Sequence, residues 1–134
     1  MKIAKMKYLI ILLILLACGC SSYSITNTSF VNQINQNSTL TKTQNIPSLG
    51  TNYYSNNLSK IQCLDKNGQE IIINPDKNTN FKFTNKKTGK STTLYYDTVY
   101  ISGDSIFGLK SRILGGKRSM AMDDIDKIYV KTEN

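Results

Sequence analysis

Hydrophobic residues are distributed in three different ways along this chain, and each distribution predicts a different structure. Residues 8–17 (YLIILLILLA) form a continuous apolar run. From residue 21 to residue 57, apolar residues are scattered singly among Ser, Thr, Asn and Gln. From residue 58 onward, short segments that alternate between apolar and polar residues are separated by turn sequences. Because alternation with a period of two is typical of half-buried β-strands, we expect the C-terminal part to be a β domain.

Turn sequences divide this C-terminal part into short strands. DKNG separates two apolar segments and predicts a β-hairpin, and NKKTGK, SGDS and LGGK predict further turns. Residues 91–102 (STTLYYDTVYIS) are rich in β-branched and aromatic residues and predict the longest strand. The last strand, near the C-terminus, offers Ile125, Ile128 and Val130 as core residues. The pattern predicts a mainly β fold, a small barrel or sandwich of about five to seven antiparallel strands, over residues 58–134.

The segment before this domain has a different composition. Residues 21–57 contain 24 Ser, Thr, Asn and Gln among 37 residues, and Lys42 is their only charged residue. Such a segment buries too little apolar area to offset its chain entropy, so we predict a tether over residues 19–57. The alternative for part of it is a short amphipathic helix around residues 29–36.

The N-terminus resembles an export signal. Residues 1–7 carry Lys2, Lys5 and Lys7 and no acidic residue, and the apolar run follows directly. A basic segment followed by a short apolar run is typical of a secretory leader. The run is about half the roughly 20 residues that a membrane span requires. We therefore predict a leader over residues 1–18 that is removed.

Two cysteines follow the apolar run in the sequence LLACGCSS. An apolar stretch, a small residue and then a cysteine resemble the lipobox of bacterial lipoproteins, in which the cysteine is acylated and the leader is cut directly before it. Leu15 and Ala17 favour Cys18 as the acylated residue. The serines after Cys20, and its distance from the apolar run, favour Cys20. Either assignment implies a chain anchored to membrane lipid by its N-terminal acyl groups, for which palmitate is expected.

Charge and composition exclude several classes of function. The chain contains 17 basic and 9 acidic residues, and removal of the three leader lysines lowers its net charge from +8 to +5. Five net charges are ordinary for a soluble domain, and we expect no nucleic-acid partner. There are no histidines, which excludes Ser-His-Asp and Cys-His catalytic sets and histidine-based metal sites. We expect no enzyme activity, no metal and no cofactor.

Candidate binding residues remain among the lysines and arginines. If their hairpins lie side by side, two basic groups would form one cationic face that binds an anionic partner: lipid headgroups, a cell-wall component such as an anionic glycan, or an acidic envelope protein. The alternative is that these residues keep strand edges soluble. Cys63 is expected to be a small buried strand residue, or to pair with Cys20 if Cys18 is acylated. The residues of the two basic groups are Lys82, Lys86, Lys87 and Lys90, and Lys110, Arg112, Lys117 and Arg118; Lys82 is the weakest candidate of the first group because it lies within a predicted strand, and the binding residues proposed are the other seven.

Residues 91–131 contain the sequences VYISGDSIFG and RSMAMDDIDKIYV. They resemble small SH3-like and Sm-like β-barrels that occur in uncharacterised bacterial lipoproteins, with Met120 where the pattern has Ile. The resemblance implies a fold rather than a function. We therefore expect an envelope lipoprotein on the extracytoplasmic face of a membrane, acting as a non-catalytic binding or structural module. The alternatives are an immunity or inhibitor lipoprotein that neutralises a toxin, and a weak hydrolase that uses carboxylates.

Overall fold

Most of the described chain is β-structure arranged in three antiparallel sheets. A computed structural model describes residues 22–36, 41–46, 51–56 and 58–132. The largest sheet has six strands in the order β5-β4-β1-β11-β6-β7, a second has the order β10-β9-β8, and β2 and β3 form a separate hairpin. The strands are β1 Ser22–Ile25, β2 Thr41–Ile46, β3 Thr51–Ser55, β4 Ile61–Leu64, β5 Glu70–Ile73, β6 Asn80–Asn85, β7 Ser91–Tyr95, β8 Tyr100–Ser102, β9 Ser105–Ser111, β10 Gly115–Ala121 and β11 Ile125–Lys131.

The predicted mainly β, antiparallel fold is confirmed. The turn DKNG joins β4 to β5, with Gly68 at a φ of 78°, a left-handed conformation that glycine adopts without steric cost. The turn NKKTGK joins β6 to β7. On β11, Ile125, Ile128 and Val130 are buried as expected. The two larger sheets do not close into a barrel, and their arrangement is that of a sandwich.

The predicted long strand over residues 91–102 is interrupted. A single 3-10 turn, Tyr96–Thr98, separates β7 from β8 and moves the chain from one sheet to the other. The buried Thr98 hydroxyl donates to the Tyr95 carbonyl at 2.7 Å and accepts from the Leu109 amide at 2.9 Å. Leu94 and Val99, which an unbroken strand would place on opposite faces, are consequently both buried in one core.

The predicted tether is wrong for residues 22–36. β1 pairs with β11 on one side and with β4 on the other, so it lies inside the largest sheet. A ten-residue helix, α1 (Asn27–Gln36), follows it and buries Phe30 and Ile34. The alternative of a short amphipathic helix in this segment is confirmed. The polar composition of this segment did not indicate these elements. The apolar side chains that pack against them belong to strands far away along the sequence.

α1 is attached to the sheet by both apolar and polar contacts. The Phe30 ring meets Phe81 and Phe83 edge to face, with centroid distances of 5.2 and 5.5 Å. The Gln33 side chain bonds both backbone groups of Gln62, donating to the carbonyl and accepting from the amide, each at 2.9 Å. Thr26 precedes the helix, and its hydroxyl accepts from the Ser29 amide at 3.1 Å. These contacts fix the N-terminal segment in the core.

The folded region therefore begins much earlier than residue 58. Asn56 is also buried, and its side-chain amide donates to the carbonyls of Tyr96 and Val99, each at 2.7 Å. The predicted leader over residues 1–18 lies outside the described residues, as do both cysteines of the lipobox-like sequence. Within the part that is described, no helix has the length and apolar character needed to cross a membrane.

Candidate functional site

One row of paired residues marks the end of the sheet at which β1 begins. Ser22 pairs with Lys131, Lys131 with Asn80, and Asn80 with Tyr95. We call these four residues the end row. Because neighbouring strands are about 4.8 Å apart, Ser22 and the Tyr95 backbone are separated by roughly 14 Å, or three strand spacings. The first described residue of the chain therefore lies at the same end of the domain as Tyr95.

Arg112 fastens the β9–β10 hairpin to this end. Its guanidinium donates to both carboxylate oxygens of Asp97, at 2.9 and 2.6 Å. It also donates to the Lys77 carbonyl through Nε and Nη2, at 3.2 and 2.8 Å. The same group lies 4.4 Å from the centre of the Tyr95 ring. A bidentate ion pair combined with stacking on an aromatic ring is geometry that arginine provides and lysine does not.

The turn that follows Arg112 exposes two large apolar side chains. Ile113 is 82% exposed and Leu114 is 77% exposed. Their backbone amides both donate to the Ser111 hydroxyl, at 3.3 and 3.1 Å. We call Ile113 and Leu114 the hairpin tip. Turns are ordinarily polar, so an apolar pair with internally paired amides is an unusual surface feature.

The residues of the predicted cationic face include some at each end of the domain. Lys86, Lys87 and Lys90 lie in or beside the β6–β7 turn, which is at the far end of β6 from the end row. Lys87 there lies 3.2 Å from an Asp124 carboxylate oxygen. Arg112 instead lies at the end row. Arg112 is therefore separated from the first basic group by the length of β6.

The basic residues of the second hairpin have different surroundings. Lys110 and Arg118 are exposed, and Arg118 donates to the neighbouring Lys117 carbonyl at 3.1 Å. Lys117 Nζ lies 5.6 Å from the Tyr100 ring centre and 5.3 Å from that of Phe107, two rings that stack on each other. Arg112 has all three guanidinium nitrogens engaged in contacts within the domain. Its role in the structure is to hold the hairpin.

Cys63 lies on β4 and is buried, as expected for a small strand residue. Burial raises the pKa of its thiol to about 11. At neutral pH the thiol is therefore protonated and a poor nucleophile. It lines a groove of about 570 Å³ between β4, β5 and the start of α1, together with Ile25, Ser29 and Ile71. Cys63 is free within the described residues; Cys20, its suggested disulfide partner, lies outside them.

The described residues contain no cluster of three or more His, Cys, Asp and Glu side chains that could hold a metal ion. Comparison of the chain with family models, curated proteins and solved structures finds no match.

The hairpin tip and the Arg112 contacts were not predicted from the sequence. The partners of Arg112 are 15 and 35 residues away along the chain, and no local pattern indicates such distant pairing. The tip did carry a local signal, because Ile113 and Leu114 stand directly before two glycines in a segment that was already predicted to turn. Apolar residues at a turn are not expected to reach the core. The sequence alone could therefore have indicated that Ile113 and Leu114 are exposed.

Proposed function

We propose that this chain is a lipoprotein of the bacterial cell envelope, anchored by acylation of Cys18 or Cys20, whose β domain acts as a non-catalytic binding or structural module. The lipobox-like sequence is the observation that carries this proposal. The start of the folded region supports it. Because β1 begins at Ser22, a cut before either cysteine leaves every described strand and helix intact.

The charge and chemistry of the domain agree with a binding or structural role. Two of the aspartates that a carboxylate-based hydrolase could use form ion pairs within the domain. Asp97 pairs with Arg112 at 2.6 Å, and Asp124 pairs with Lys87 at 3.2 Å. The buried thiol is protonated at neutral pH. Anchoring by two or more acyl chains would hold such a domain stably at a bilayer surface.

Metabolic labelling with palmitate tests the anchor. The full chain is expressed in a bacterial host and compared with Cys18→Ala, Cys20→Ala and Cys63→Ala variants. We expect the label to be lost in the variant that removes the acylated cysteine. Cys63→Ala is the matched control and should keep the label, because Cys63 lies on β4 in the core.

Mass spectrometry of the same material identifies the mature N-terminus. The proposal expects an acylated peptide that begins at Cys18 or Cys20. An unlabelled chain that retains Met1 in all variants would contradict it, since neither cleavage nor acylation would have taken place.

A further inference from the structure

The distance between the acylated cysteine and the folded domain is short. Ser22 is four residues after Cys18 and two after Cys20. A fully extended chain covers at most about 14 Å over four residues and about 7 Å over two. Since Ser22 is part of the end row, an anchor at either cysteine would place the end row close to the bilayer surface.

The hairpin tip is located at this same end. Arg112, the residue before the tip, is stacked on Tyr95 of the end row at 4.4 Å. The bidentate pair with Asp97 holds it there. The hairpin that carries Ile113 and Leu114 is therefore fixed to the sheet beside the end row, which contains Ser22. Their exposed fractions of 82% and 77% leave their apolar surface available.

The chemistry of the tip suits a lipid surface. Backbone amides that enter a bilayer interface without a hydrogen-bond partner are costly, and those of Ile113 and Leu114 already donate to the Ser111 hydroxyl. Four exposed lysines lie at this same end of the domain, where their charge would favour an anionic lipid surface. These lysines are Lys66, Lys77, Lys110 and Lys131.

Three acidic residues at this end make local contacts, whereas Glu70, at the start of β5, is exposed. Asp97 is paired with Arg112 at 2.6 Å. Asp65 accepts from the amides of Asn67 and Gln69 within its turn, and Asp76 accepts from the amide of Asn78. Neither of the two ion pairs found among the described residues uses one of the four lysines, so their ammonium groups can meet anionic lipids.

We propose that the hairpin tip, Ile113 and Leu114, is a second membrane contact that inserts into the bilayer holding the acyl anchor. This inference rests on the proposed lipoprotein function. The domain then has two attachments at the same end, the acylated N-terminus and the tip, and is held in a defined orientation with the β6–β7 turn facing away from the bilayer.

Tryptophan fluorescence tests this directly, because the chain contains no tryptophan of its own. Leu114→Trp is introduced into the full chain, which is purified from bacterial membranes and reconstituted in vesicles of phosphatidylglycerol and brominated phosphatidylcholine. The matched control is Thr88→Trp, an exposed position in the β6–β7 turn. We expect Leu114→Trp to emit at shorter wavelength and to be quenched by the brominated lipid, whereas Thr88→Trp should show neither effect.

Each outcome decides the inference. Equal, weak quenching at both positions would overturn it, and the tip would then be free to contact an envelope protein. Equal, strong quenching would also overturn it, because the domain would have no defined orientation. If Leu114→Trp failed to fold, Ile113→Trp at the more exposed position replaces it.

Palmitate labelling of the same samples distinguishes a missing acyl anchor from a tip that does not insert. Labelled protein with an unquenched tip contradicts the insertion alone. Unlabelled protein with a quenched tip contradicts the anchor and supports the insertion. Unlabelled protein with an unquenched tip contradicts both.

Discussion

Gly108 lies on β9 where this strand crosses β7, and it sets the distance between the two sheets. A Cβ atom at this position would lie 2.8 Å from Leu94 Cδ1, 3.1 Å from Leu94 Cβ and 3.2 Å from Val99 Cγ2. All three atoms belong to side chains that are fully buried and have little room to move. Glycine is required here for close approach between strands, not for an unusual backbone conformation.

We predict that Gly108→Ala destabilises the domain by about 1–3 kcal/mol, because overpacking forces the strands apart. Chemical denaturation followed by far-UV circular dichroism measures the change. Ser119→Ala, at an exposed position on β10, is the matched control and should remain near the wild type. An unchanged midpoint for Gly108→Ala would show that the contact with Leu94 relaxes without cost.

Cys63 gives the domain a pH dependence on the alkaline side. Its pKa is raised from 9.0 to about 11 by burial, so the folded state retains a proton that the unfolded state releases first. The stabilisation is fully present below pH 9 and is lost as the pH rises towards 11. Desolvation by burial also raises the pKa of Tyr96, which acts in the same direction.

We therefore predict that the free energy of unfolding falls between pH 9 and pH 11. In Cys63→Ala this fall should be smaller, although the variant starts from a lower stability because a buried side chain has been shortened. Denaturation at a series of pH values measures the slope. Equal slopes in the two proteins would contradict the assignment to Cys63. Thiol reagents should also react with native Cys63 much more slowly than with unfolded chain.

At the scale of elements, Arg112 ties the tip end of the β9–β10 hairpin to the largest sheet. Arg112 makes four hydrogen bonds, two to Asp97 and two to the Lys77 carbonyl. About one fifth of each side chain in the ion pair remains exposed, so solvent screens the pair only partly. The hairpin is thereby joined to the turn before β6 and to the 3-10 turn after β7.

We predict that Arg112→Lys keeps the charge but lowers stability by about 1–3 kcal/mol, because the bidentate pair and the stacking on Tyr95 are lost. Hydrogen exchange of the Ile113 and Leu114 amides should become faster. Arg118→Lys is the matched control, since the Arg118 side chain is exposed and its one hydrogen bond to a described residue is with the neighbouring carbonyl. Similar effects of the two substitutions would show that Arg112 does not position the hairpin.

At the scale of the whole molecule, the N-terminal segment is part of the domain. β1 lies between β4 and β11, so its removal would divide the largest sheet into a pair and a group of three strands. Removal of α1 would expose Phe81 and Phe83, which are each 1% exposed in the folded domain. A domain of this size has little stability to lose.

We predict that a chain of residues 21–134 folds cooperatively and that a chain of residues 58–134 does not. Thermal unfolding followed by circular dichroism distinguishes the two, and the longer chain is the control for expression and purification. A cooperative transition in the shorter chain would contradict the boundary at Ser22. It would indicate that the remaining strands form a core without β1 and α1.

Local patterns identified the strands that alternate in polarity and the turns that contain glycine. The β4–β5 hairpin, β6 and the core residues of β11 followed from the sequence because their signals lie within a few neighbouring residues. The lipobox-like sequence is equally local. The prediction that the chain is anchored in the cell envelope therefore does not depend on the fold of the β domain.

Long-range contacts decided the remaining features. Phe30 and Ile34 become core residues only because β6 supplies Phe81 and Phe83 some fifty residues later. Arg112 finds its partners across 15 and 35 residues, and the 3-10 turn at Tyr96–Thr98 follows from the passage of the chain between two sheets. Composition measures how much apolar surface a segment contains, but only the tertiary structure shows whether a distant segment covers that surface. For this reason a segment with the composition of a tether is a central strand and a helix of the core.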